Sequence, residues 1–166
     1  MKFSYYEKDW LDIVRQQEEL LRPDSFNAKD ALHLGLIMER LAREKYRQPI
    51  GIRIILGGHV AFSHLMDGTD SNNDWWMDKK LNTARLSGMS SLRTLIEVAE
   101  GNIPCEKEYE TVNDFALCGG CFPLRNTAGR LLGYVEDSGM PHQRDHQLVA
   151  DALSELLGVN VPGIEE

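Results

Sequence analysis

The chain is 166 residues long, 42% hydrophobic and 27% charged, with 18 Lys and Arg against 26 Asp and Glu, a net charge of −8. It reads as a single domain over residues 1–166, large enough to bury a core without disulfides or metal, and its composition excludes a disordered chain or a collagen-like repeat. An acidic surface disfavours nucleic acid, no apolar run reaches the roughly 20 residues that span a bilayer, and MKFSYYEKDW lacks the apolar segment of a signal peptide, so the expected compartment is the cytoplasm.

In chain order, Tyr6 to Leu21 places Trp10, Ile13, Val14, Leu20 and Leu21 at helical spacing, and Pro23 stops the helix. A second helix starts at Asn27, a good N-cap, and carries Ala28, Ala31, Leu32, Gly35, Met38, Ala42 and Tyr46 on one stripe. The run IGIRIIL, then Gly57-Gly58, then HVAFSHL reads as a β-hairpin. Ile50, Ile52, Ile54 and Leu56 share its buried face. Gly51, Arg53 and Ile55 form a face covered less completely, or by a partner.

A polar loop from Met66 to Asn73 leads into a helix expected from about Asp74 to Leu86, ended by Gly88, and Ser90 or Ser91 caps the next one. The charged stretch from Gly101 to Asp114 reads as loop or a short helical excursion. Strands follow at about Gly120 to Arg125 and Arg130 to Glu136, turning at Asn126 to Gly129. After Pro141, Leu148, Val149, Ala152, Leu153, Leu156 and Leu157 recur at period 3.6 until Gly158. The order ααββααββα, with two hairpins and helices around them, specifies an α+β domain.

Chemistry has few places to sit in this chain. His142 and His146 are four apart, so both rings can lie on one helical face beside Asp145, a spacing that suits a metal or haem iron; the plain alternative is two solvated histidines behind a capping aspartate. Asn73-Asp74-Trp75-Trp76 with Lys79 and Lys80 combines a helix N-terminus, cations and aromatic rings that could hold a carboxylate or phosphate. The alternative is an amphipathic helix with its tryptophans in the core or a subunit contact, but adjacent tryptophans cannot both face one core. His59 and His64, five apart on a strand, point to opposite faces and cannot share an ion. Asp67, Asp70 and Asp74 do not match a calcium loop. Cys118-Gly-Gly-Cys121 has redox or half-zinc spacing but no second pair and no following helix; the other reading is small residues at a tight backbone approach.

Taken together, Asn73-Asp74-Trp75-Trp76 with Lys79-Lys80, Ala84, Gly88 and Ser90-Ser91, then Gly119-Gly120-Cys121-Phe122-Pro123, then Ser138-Gly139-Met140-Pro141 with Asp145-His146, resemble the haem-degrading-domain (GlcG/HbpS-like) family. More closely, they resemble its uncharacterised cytosolic branch found in bacteria and fungi. The resemblance spans about Leu11 to Leu157. The resemblance implies a profilin-like fold, an antiparallel sheet sandwiched by helices, in a homo-oligomer, and haem as a possible cofactor. It assigns no reaction and no catalytic residue. Cys121 stands where the family commonly has alanine, Cys118 where it has histidine, Arg53 where it has aspartate, and His142 where it has glutamine.

Two functions follow as expectations. The first is a cytosolic oligomer binding haem or another small anion near two helix N-termini, through Asn73, Asp74, Trp75, Lys79, Lys80, Asp145 and His146, with no metal set of its own. The second is a structural or adaptor protein in which these residues build the oligomer interface.

Overall fold

The computed structural model describes residues 1–164. The first helix, α1 (Trp10–Leu20), buries Trp10, Leu11 and Val14 against Leu92, Leu95 and Ile96 of α4 (Ser91–Ala99). Helix α2 (Ala28–Leu41) starts on a reciprocal cap in which Asn27 accepts from the Asp30 N–H and Asp30 accepts from the Asn27 N–H. It runs on through a π-helical turn, Ala42–Tyr46, and stops where Arg47 takes a left-handed conformation, φ 55°.

Four antiparallel strands, β1 (Gly51–Leu56), β2 (His59–Leu65), β3 (Cys121–Arg125) and β4 (Leu131–Ser138), form one sheet in the order β2-β1-β4-β3. Each hairpin joins neighbours, and the β1·β4 ladder pairs Gly51 with Ser138 through Leu56 with Gly133. Ile50, Ile52, Ile54 and Leu56 enter the main core with Phe122, Leu124 and Val135. That face is covered by α2 and by α5 (His142–Leu157), whose Leu148, Val149, Ala152 and Leu153 are fully buried.

The opposite face is covered from within the chain over β1, β3 and β4. Helix α3 (Ser71–Ser87) lies over it, and Leu81 and Ala84 pack with Ile55, Cys121 and Tyr134. Arg53 is held there by Glu136 (Nε–Oε2 2.7 Å) and Asp78 (Nη1–Oδ1 2.8 Å). The architecture is the layered α+β sandwich expected. No helix among the described residues is long and apolar enough to cross a membrane.

A register shift in β2 alters one expectation. It pairs His59 with Leu56 and His64 with Ile52, both on the α2 face, so the two histidines share a side of the strand; both are exposed.

Candidate functional site

Helix α3 begins three residues earlier than its sequence pattern indicated. Asp70 is the N-cap, accepting from the Asn72 N–H, and Asn73 is the third helical residue, its Oδ1 accepting from the Asp70 N–H. Capping fixes the Asn73 rotamer, and its Nδ2 then donates to the carbonyl of Ser138 at 2.9 Å. The start of α3 is thereby tied to the end of β4, from which the chain enters α5.

Two turns on, Lys80 crosses beneath this junction. Its Nζ donates to Asp145 Oδ2 at 2.9 Å and to the Asp137 carbonyl at 3.1 Å. Asp145 Oδ1 accepts from the Met140 N–H, so one carboxylate anchors both the lysine and the turn before α5. Both side chains of the pair are almost fully buried. Burial pulls the Lys80 ammonium down, but the adjacent Asp145 outweighs it and the net direction is up, so the lysine stays charged.

Gly119 and Gly120 make this approach possible. A Cβ at Gly120 would stand 2.5 Å from Lys80 Nζ and 2.7 Å from the Asp137 carbonyl, and φ there is 129°. A Cβ at Gly119 would strike the His142 carbonyl. Of the two readings of Cys118-Gly-Gly-Cys121, close backbone approach is the one the fold uses. Both thiols are free, and burial pushes both up, opposite to the shift of a reactive redox cysteine.

Above Lys80 lies a cavity of about 390 Å³ lined by Asn72, Asn73, Trp76 and Lys80 from α3 and by Ser138, Met140, His142 and Asp145 from the β4–α5 junction, with Cys118 in its wall. The two helix starts singled out in the sequence do meet, and Asn73, Lys80 and Asp145 sit together there. Another hollow, beside Tyr46 and Asp151, contains none of them, so the Lys80 cavity is the candidate.

Four of the singled-out residues lie elsewhere. Trp75 is 41% exposed on the outer face of α3, and Asp74 is half-buried outside the cavity lining. Lys79 turns away from Lys80 and rests between the rings of Trp75 and Trp76, 3.8 and 4.0 Å from their centroids. The two lysines therefore do not pool into one positive site. His146 is buried behind the cavity, its Nε2 on Gln17 Oε1 at 2.7 Å, its ring beside Phe122, and its Nδ1 unpartnered. Burial lowers it to about 3, so it is neutral.

Sequence reasoning passed over Asp137 and read His142 only as a metal or haem candidate or a solvated side chain. Both carboxyl oxygens of Asp137 are buried without a partner, and burial first, then Asp145, pushes its pKa well up, which favours the neutral acid. Nothing in a strand reading VED marks this; the signal is an acid on the core face, opposite Ile52. His142 accepts at Nδ1 from the Gly119 N–H (3.0 Å) and donates from Nε2 to the Tyr5 carbonyl (2.7 Å). Burial lowers it to about 4, leaving a neutral ring that fastens the N-terminal segment over the site.

Haem is the group that the sequence resemblance raises, and the donor set can be tested for it. Both nitrogens of His142 are occupied, the free nitrogen of His146 is buried away from the cavity, and Cys118 is held as a thiol. These residues do not fit as axial iron ligands in this cavity. Among the described residues, no three His, Cys, Asp or Glu side chains are placed to hold a metal ion.

The chain is similar to known proteins over most of its length. It is 33% identical over 152 residues, 90% of this chain and 85% of the relative, to a UPF0303 protein of Schizosaccharomyces pombe. The Ybr137w protein shares the fold, with a TM-score of 0.75 at 23% identity over 89% of this chain and 87% of that one. So does PduOC, solved as a haem complex, with a TM-score of 0.66 at 17% identity over 85% and 99%. Residues 26–154 match the model of the haem-degrading HbpS-like proteins, and the chain belongs to that family.

Proposed function

We propose that the protein is a cytosolic homo-oligomer that binds a small organic anion, of the carboxylate class, in the cavity between the first turns of α3 and α5. One observation carries the reading: a buried, charged Lys80 lines a 390 Å³ cavity and uses two of its three N–H donors on protein acceptors, Asp145 and the Asp137 carbonyl. The Asn73 amide and the open start of α5, which has no side-chain cap, add donors on the same side. Because Asp145 balances Lys80, the cavity has little excess charge. Its preference rests on directed donors, which suit a small anion and not a polyanion.

Haem is supported by the family's description and by the PduOC complex, and opposed by the engaged nitrogens of His142 and the buried His146. An anion held without iron ligation meets the donor set better. Calorimetric titration with succinate tests it: saturable binding to the native protein, weakened about tenfold in Asn73→Leu, is the expected result. Equal binding by the two would remove this cavity as the site. In parallel, added haem is expected to keep the absorbance of unligated haem with native protein and with His146→Ala alike; an axially ligated spectrum lost in the variant would restore haem.

The adaptor reading loses most of its residues to burial. Lys80, Asp145 and His146 are inside the protomer and cannot meet another copy, which leaves Trp75 as the exposed apolar group of the motif.

A further inference from the structure

Lys79 has an environment that the first cavity does not explain. It is 4% exposed, yet among the described residues its ammonium meets no carboxylate and no hydrogen-bond acceptor, only the two indole faces. Burial lowers its pKa, and cation–π contact replaces only part of the lost hydration. A cation that lines a cavity without a protein acceptor is open to an anion there.

Lys79 also lines a second cavity, of about 210 Å³, on the other side of Trp76. Its charged lining residues are Lys79 and Lys2, with no Asp or Glu, in a protein whose net charge is −8. The remaining wall is largely apolar: Phe3, Tyr109, Val112 and Phe115. Val112 is 69% exposed, an apolar side chain left at the rim. This cavity shares with the first only Ser4, Trp76 and Cys118, which form walls of both.

We propose that this second cavity binds an amphiphilic monocarboxylate, its carboxylate on Lys79 with Lys2 at the edge, and its short apolar body against Phe3, Val112 and Phe115. A cation set in an apolar hollow selects for a ligand that carries both features. Either one alone leaves the other unsatisfied. The inference rests on Lys79 and is independent of the reading given to the Lys80 cavity.

The test uses hexanoate as the probe, with hexan-1-ol as its uncharged counterpart, in calorimetric titrations of the full chain. Saturable hexanoate binding is expected, with hexan-1-ol weaker by about tenfold and Lys79→Met weakening hexanoate by about as much. Lys79→Arg, which keeps the charge, is expected to retain binding, and Asn73→Leu, in the other cavity, to leave it unchanged. No saturable binding of hexanoate, equal binding of acid and alcohol, or native affinity in Lys79→Met overturns the proposal. So does an equal loss in Lys79→Arg and Lys79→Met, which would assign the effect to packing and not to charge.

Discussion

A histidine four residues from another is a ligand only if a free nitrogen reaches the partner, and burial decides that for His146. Its folded pKa, about 3, lies below the ordinary 6.5, so the unfolded chain takes up a proton that the folded one refuses as pH falls through 6.5. Stability from this group is present above pH 6.5 and lost progressively below it. The stability of native protein relative to His146→Gln is therefore expected to fall by roughly 2 kcal/mol between pH 7 and pH 5, measured by urea unfolding at each pH. A constant difference would show that His146 titrates normally. Gly120 makes a second point at this scale. Alanine there meets both a φ of 129° and the Lys80 ammonium, and Gly120→Ala is expected to cost about 2 kcal/mol or more, read as a lowered thermal midpoint. The sequence marked both residues as special. It could not show that His146 faces inward or that Gly120 clears a path for Lys80, because each depends on contacts more than 25 residues away in the chain.

Elements were legible where the period was clean. Helices α2 and α5 and both hairpins follow from apolar spacing and turn residues, and Asn27 caps α2 as its type predicts. The start of α3 was misplaced because Ser71-Asn72-Asn73-Asp74 offers several caps in a row, and the choice of Asp70 is settled by the Asn73–Ser138 bond, a tertiary contact. The polar face of β1 was likewise illegible. Arg53 reads as part of a face covered less completely, or by a partner, until Glu136 and Asp78 arrive from β4 and α3. The tie between α3 and α5 is the Lys80–Asp145 pair, buried on both sides. Removing one partner leaves a lone buried charge, so Lys80→Met is expected to lower stability by about 3–5 kcal/mol in denaturant unfolding, with the double variant Lys80→Met, Asp145→Leu recovering a substantial part. Additive losses in the double variant would show that the two groups are not coupled.

For the whole molecule, the acid excess spreads over the surface while the two informative cations are inside, Lys80 against Asp145 and Lys79 against two indoles. Net charge thus disfavours polyanions without describing either cavity. Assembly is argued at this scale too. Trp75, 41% exposed, is a large apolar side chain on the outer face of α3, and Trp75→Ala is expected to shift the mass seen by light scattering toward the protomer. An unchanged mass would take Trp75 out of the interface. The central claim, that the cavity joining the starts of α3 and α5 holds a small carboxylate, is tested most directly by a crystal structure of the protein grown with succinate. The account predicts ligand density in contact with Lys80 and Asn73, between α3 and the β4–α5 junction. A cavity without ligand at saturating succinate, or succinate bound only elsewhere, would contradict it.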